Sequence, residues 1–179
     1  MTSFDLRRTK LRAGEEHREA LDVELPVFEF GGERYTPIPD EVTSELVVGR
    51  AVTGTVFTLA FTTRLHGPCY RCLGDAVLEV PIFATEYQAS APDDDELTTP
   101  YLENDVLDVS GWARDAVVLA LPDKILCGPE CAGLCPECGK NLNDEPHEHE
   151  ESSVDPRWGA LEALRVETER ELETQREEP

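Results

Sequence analysis

The sequence predicts an α+β fold: an antiparallel sheet or partial barrel with a helix, a C-terminal cysteine-rich knuckle segment and a terminal helix. Three observations predict it. Apolar residues alternate with polar ones over two long neighbouring stretches, the period of half-buried strands. From Trp112 to Leu121 the apolar residues instead recur at helical spacing. Beyond that helix the chain turns to cysteine, proline and glycine at the spacing of tight knuckles.

In chain order, residues 1–20 are expected to form a solvated N-terminal arm and residues 21–126 the sheet-plus-helix core. Val23, Leu25 and Val27 alternate, and a second strand candidate runs from Leu46 to Val52. Phe57, Leu59, Phe61 and Leu65 then share one face, with Val56, Thr58, Ala60, Thr62 and Arg64 on the other. The pattern resumes as Ala76, Leu78, Val80, Ile82 and Ala84 against Glu79, Thr85 and Tyr87. Gly67, Pro68 and Gly74 lie between the two stretches and are turn formers. They predict one long antiparallel hairpin with Cys69 and Cys72 at its tip. Pro81 has no N–H to give to a ladder, which predicts an edge or a bulge at that point.

Residues 90–100 read as a loop and Asp105 to Val109 as a short strand. Ser110 is the expected cap of the following helix, which Pro122 ends. Residues 127–151 make the knuckle segment. A terminal helix over 152–179 is expected to start at Asp155-Pro156, a cap followed by proline at the first helical position. It carries one apolar stripe, Trp158, Leu161 and Leu164, and continues into charged pairs such as Glu162 and Arg165.

Length and charge limit the function. At 179 residues the chain has room for one core with an appendage, or for two small domains. It carries 38 acidic against 16 basic side chains, a formal net charge of −22, with three lysines. A protein that grips nucleic acid by its phosphates needs clustered Lys and Arg. This balance argues against such a grip and fits either basic protein partners or solubility alone. The basic residues that do cluster are Arg7, Arg8, Lys10 and Arg12. No apolar run approaches the ~20 residues that span a bilayer, and the N-terminus lacks the apolar segment of a secretory signal. Both point to a cytoplasmic protein without membrane contact. In a reducing compartment clustered cysteines bind metal more often than they form disulfides.

The six cysteines form two groups. The first is Cys69-Tyr-Arg-Cys72. The second is Cys127-Gly-Pro-Glu-Cys131 followed by Cys135-Pro-Glu-Cys138, and it runs on to His147-Glu-His149. A Cys-x-x-Cys pair beside Gly or Pro turns both sulfurs toward one point, as tetrahedral zinc requires. Eight such donors suffice for two closed structural sites, so two Zn2+ ions are expected.

The donors can be divided in three ways. One groups Cys135, Cys138, His147 and His149, which lie within fifteen residues and close a short loop. That leaves Cys69, Cys72, Cys127 and Cys131 to staple the hairpin to the chain beyond the helix. A second pairs Cys69 and Cys72 with Cys135 and Cys138, and a third uses Cys127, Cys131, Cys135 and Cys138 alone. A four-thiolate zinc carries a net charge of −2 and calls for positive neighbours, which Arg71 and Lys124 can supply. The competing reading of His147 and His149 is that they are exposed residues whose acidic neighbours favour the protonated ring, which competes with metal. His17 and His66 have no partner at ligand spacing.

Four pieces in fixed order carry a resemblance. They are Cys-x-Arg-Cys-Leu at 69–73, Leu-Ala-Leu-Pro at 119–122, Cys-x-x-x-Cys-x-Gly-Leu-Cys-Pro-x-Cys-Gly-x-Asn-Leu-Asn at 127–143, and Asp-Pro-Arg at 155–157. Over residues 46–165 the sequence resembles the bacterial YceD family, the large ribosomal RNA subunit accumulation proteins. It departs from the commoner pattern at His147 and His149, where many relatives carry Cys-x-Cys, a change that keeps both ligands.

The resemblance implies a role in the synthesis, processing or stability of large-subunit (23S) ribosomal RNA within ribosome assembly. It implies a ribosomal protein or pre-large-subunit particle as partner, and no enzyme. The residues agree, for there is no Gly-rich phosphate loop and no nucleophile with a base at recognisable spacing, and a site with four protein donors is structural. With this charge, RNA contact is expected to be weak or indirect. Two other classes compete. A zinc-ribbon nucleic-acid binder or transcription accessory protein would need the basic residues gathered at one end. A dithiol redox protein would use Cys69 and Cys72, which lack a thioredoxin-like βαβ setting.

Overall fold

The computed structural model describes residues 1–91 and 97–149. Among them the strands are β1 (Ser3–Asp5), β2 (Glu16–Glu24), β3 (Phe28–Phe30), β4 (Glu33–Pro37) and β5 (Glu41–Arg50). β6 (Gly54–Pro68), β7 (Asp75–Ala89), β8 (Leu102–Glu103) and β9 (Val106–Asp108) follow, then helix α1 (Val109–Ala120). Two compact units divide the chain, Met1–Glu145 and Pro146–Pro179, and of the second only residues 146–149 are described.

The expected α+β class is corrected. Strands dominate the described residues, α1 is their one α-helix, and the sheets are open, without a closed barrel. Strands also form where the alternation marked none, among them residues 16–20, 28–30 and 33–37. Residues 1–20, expected as a solvated arm, contain β1 and the start of β2. Phe4 is buried there because β1 pairs with β9 far along the chain. The expected terminal helix over 152–179 lies outside the described residues.

The hairpin read from the alternation forms the long axis of the first unit. β6 and β7 pair over fifteen residues each, from Gly54 opposite Ala89 to Pro68 opposite Asp75. The other edge of β6 is shared. β5 takes residues 55–60 and β4 takes Leu65 and His66. β2 and β3 complete a six-stranded antiparallel sheet, while β1, β9 and β8 form a second sheet of three.

Phe57, Leu59 and Leu65 are fully buried on one face of β6, meeting Leu46, Val48 and Val23 from β5 and β2. α1 closes this core with Trp112, Ala113 and Val117, and the indole of Trp112 stacks on Tyr101. Each large apolar side chain so buried contributes roughly 1.5–3 kcal/mol relative to exposure.

Two local details correct or extend the sequence reading. The helix cap is Asp108, not Ser110: the Asp108 carboxylate accepts from the Gly111 N–H at 2.9 Å. Ser110 is inside the helix, where its hydroxyl accepts from the Thr2 N–H at 2.6 Å and ties the N-terminus to α1. Asn104 and Asp105, both at positive φ, make the two-residue turn between β8 and β9, a conformation these side chains tolerate.

No helix among the described residues is long and apolar enough to cross a membrane.

Candidate metal centres

The tip of the hairpin and the chain beyond α1 meet through backbone hydrogen bonds. Cys69 donates its N–H to the Gly74 carbonyl at 2.7 Å, and the Leu73 N–H reaches back to the Cys69 carbonyl at 3.0 Å. This knuckle forces Leu73 to a φ of 59°. The incoming segment is then bound on both sides of Arg71. The Tyr70 N–H donates to the Ile125 carbonyl at 2.8 Å, and the Leu134 N–H to the Arg71 carbonyl at 3.2 Å. Gly133 stands at that crossing with φ +83°, and a Cβ there would press on the Arg71 carbonyl at 3.3 Å.

These contacts bring Cys69, Cys72, Cys127 and Cys131 together, with all four sulfurs within 4.8 Å of one another. Cys69 lies 3.7 Å from Cys131, and Cys72 lies 3.7 Å from Cys127, sulfur to sulfur. Disulfide sulfurs would be about 2.05 Å apart, and no disulfide joins Cys69, Cys72, Cys127 and Cys131. A sulfur bonded about 2.3 Å from a tetrahedral zinc stands about 3.8 Å from its three companions. The observed separations fit that edge. Cys69, Cys72 and Cys131 are buried and Cys127 is exposed.

The electrostatics fit a dication as well. Burial opposes charge on Cys69, but hydrogen bonds from the backbone of Cys72, Arg71 and Cys127 outweigh it and lower its pKa to about 6. Cys127 is pushed up to about 12, first by its bonds to Cys131 and Cys72 and then by burial. One sulfur is driven toward thiolate while a neighbour is driven to keep its proton. A metal that replaces the protons removes that conflict.

Around the sulfurs, the Asn143 side-chain amide lies 3.5 Å from the Cys131 sulfur, and its oxygen accepts from the Ala132 N–H at 2.8 Å. The sequence had suggested Arg71 and Lys124 as positive neighbours. Arg71 donates to the Cys131 carbonyl at 2.9 Å, whereas the Lys124 ammonium lies 4.9 Å from the centre of the Tyr70 ring. Asn143 and Gly133 belong to the motif of residues 127–143, where spacing alone gave them no role.

The second Cys-x-x-Cys forms a knuckle of its own. The Cys135 N–H donates to the Lys140 carbonyl at 2.8 Å, the Gly139 N–H returns to the Cys135 carbonyl at 2.9 Å, and Gly139 takes φ +73°. Cys135 and Cys138 belong to the first unit; in the second, the imidazoles of His147 and His149 meet edge to face. The cluster of Cys69, Cys72, Cys127 and Cys131 can therefore hold a metal ion, and it is the four-cysteine set of the first of the three divisions. His17 and His66 stand outside it, beside Glu19 and Asp75 respectively.

Fold and site together define a strand-rich protein whose longest hairpin is tied to the segment after its helix by a four-cysteine cluster. The family described as large ribosomal RNA subunit accumulation protein YceD matches residues 57–165, which include all six cysteines, His147 and His149. The chain belongs to that family.

Among its relatives is the uncharacterized protein Rv2926c of Mycobacterium tuberculosis, 39% identical over 119 residues, covering 63% of this chain and 54% of the relative. The uncharacterized protein ML1660 of Mycobacterium leprae is 32% identical over 146 residues, 79% of this chain and 63% of its own length. The uncharacterized protein YlbN of Bacillus subtilis is 29% identical over 103 residues, 54% and 58% of the two chains. The matched part thus spans little more than half the length of these relatives. No solved structure matches the chain.

Proposed function

We propose that the protein is a non-catalytic, zinc-stabilised factor that supports the synthesis, processing or accumulation of large-subunit ribosomal RNA during ribosome assembly. Family membership over residues 57–165 is the observation that carries this reading. The cluster of Cys69, Cys72, Cys127 and Cys131 supports the zinc. It offers four protein donors, the composition of a closed site that holds a fold together and leaves no position for a reacting water. The ions would be two structural Zn2+, one held by Cys69, Cys72, Cys127 and Cys131, the other by Cys135, Cys138, His147 and His149.

The partner in this reading is a ribosomal protein or a pre-large-subunit particle in the cytoplasm. With a net charge of −22, the chain favours basic proteins over RNA phosphates. Depletion of the protein should lower mature large-subunit RNA relative to small-subunit RNA, with immature large subunits accumulating. An unchanged ratio defeats the assembly role. Titration of the purified protein with large-subunit RNA fragments at low and moderate salt tests the mode of contact. Tight binding that falls steeply with salt would instead favour a nucleic-acid-binding zinc protein.

A further inference from the structure

β7 is an edge strand, and the register of the hairpin fixes which of its backbone groups are free. Cys69 donates to Gly74 at one end of the hairpin, and Ser90 donates to Thr53 at the other. Hydrogen-bonded pairs recur every two residues in an antiparallel ladder. The even-numbered residues of β7 therefore turn their N–H and C=O groups toward β6. Odd-numbered residues, Val77 to Tyr87, turn theirs away from it, on the side where β7 has no strand partner among the described residues. Pro81, opposite Thr62, falls on the outward set, so its missing N–H costs the ladder nothing and the expected edge is found there. Beyond Pro81, Phe83, Thr85 and Tyr87 keep outward donors and acceptors.

A groove of about 380 Å³ runs beside this same stretch, between residues 81–86 of β7 and the end of α1. Phe83, 78% exposed, and Leu119, 86% exposed, both line it, an unusual exposure for large apolar side chains. Among the described residues no Lys or Arg lines it. Glu86 does, and Glu79 is exposed on the same face of β7 as Phe83. A strand edge with free donors, apolar walls and acidic surroundings has the parts that β-augmentation uses. Backbone bonds supply affinity and alternate side chains supply specificity.

We propose that the edge of β7 from Phe83 to Tyr87, with the groove beside α1, binds an extended basic segment of a partner protein as an added strand. On its two faces its apolar residues would lie beside Phe83 and beside Leu119, and its Lys or Arg residues near Glu79 and Glu86. Charge selects this occupant. A second copy would bring another −22 to the same edge, and RNA offers neither strand-forming amides nor positive charge. The inference rests on the assembly role in that it specifies the surface a basic ribosomal protein would use.

An acetylated, amidated octapeptide with four central Val residues and two Lys at each end is a suitable probe for the full-length, metal-loaded chain. Saturable NMR shifts are expected at residues 81–87 and at Leu119, with slowed amide exchange at Phe83 and Thr85. Phe83→Asp, Leu119→Asp and Thr85→Pro should each weaken binding by about tenfold or more. Val77→Pro, outward on the same strand but away from the groove, should leave it unchanged. Thr85→Pro is expected to fold, since it repeats what Pro81 already does.

The proposal is overturned if the peptide fails to bind or the three groove variants bind like the parent. It is also overturned if the same peptide with Glu in place of Lys binds as well, or if an RNA octamer shifts the same amides. Slow exchange at Phe83 and Thr85 in the free monomer, or a dimer that Phe83→Asp dissociates, would place another occupant there. The assembly role is read from the RNA ratio in cells, so each idea can fail without the other.

Discussion

The Arg71 guanidinium donates to the carbonyl of Cys131 at 2.9 Å, joining the tip of the hairpin to a residue 60 positions later. The same carbonyl belongs to a residue whose sulfur lies 3.7 Å from Cys69. One side chain thus clamps the backbone of a donor residue while the knuckle around it presents two more.

Arg71→Ala should cost about 1 kcal/mol of stability, a charged hydrogen bond discounted for its exposure. The metal content should hold, because no sulfur is lost. Chemical denaturation alongside elemental analysis measures both, and unchanged stability would show the clamp to be passive.

Two zinc ions per chain are expected when the protein is produced without chelator. Cys135→Ser with Cys138→Ser should remove one and leave the hairpin site filled. Cys69→Ser with Cys72→Ser should remove the other and destabilise the sheet. Chelation should release both ions and open the thiols to alkylation together with loss of structure. A single metal, or loss of both from the first double variant, contradicts the division. Free alkylation of Cys69 or Cys72 in the metal-loaded protein would favour a redox role.

The Thr63 hydroxyl is buried in the core face of β6 without a hydrogen-bond partner among the described residues. Thr63→Val keeps the shape and removes the buried polar atom, so it should stabilise the protein by about 1 kcal/mol. The shift of the urea midpoint measures it. A loss of stability would mean that the hydroxyl is bonded in solution.

Tyr101 is pushed up to about 12, chiefly by burial and then by its hydrogen bond to Asp115. A tyrosine that holds its proton more tightly when folded adds stability below its unfolded pKa near 10, and the contribution is lost as pH rises toward 12. Absorbance near 295 nm should show one phenol ionising late. Asp115→Asn should bring it down by removing the carboxylate's charge.

The β6–β7 hairpin was legible because its register puts Phe57, Leu59 and Leu65 on one face, and a one-residue slip would expose them all. Its tip was legible too, since Gly, Pro and Cys there have few other uses. Phe4 and Ser110 were misread for one reason. Phe4 is buried by β9 and the hydroxyl of Ser110 is taken by Thr2, partners more than 100 residues away in sequence. Local pattern carries no record of such a partner.

By itself the sequence determined the candidate donors, the hairpin and the family, because each is written in spacing: two residues between cysteines, two per strand repeat, four pieces in order. Only the tertiary structure decided which four cysteines come together, that Asn143 and Gly133 complete their surroundings, and that the described residues are mostly strand. Those outcomes depend on backbone hydrogen bonds such as Tyr70 to Ile125 and Leu134 to Arg71, formed between segments more than fifty residues apart. Closing such loops costs entropy that only the assembled core repays.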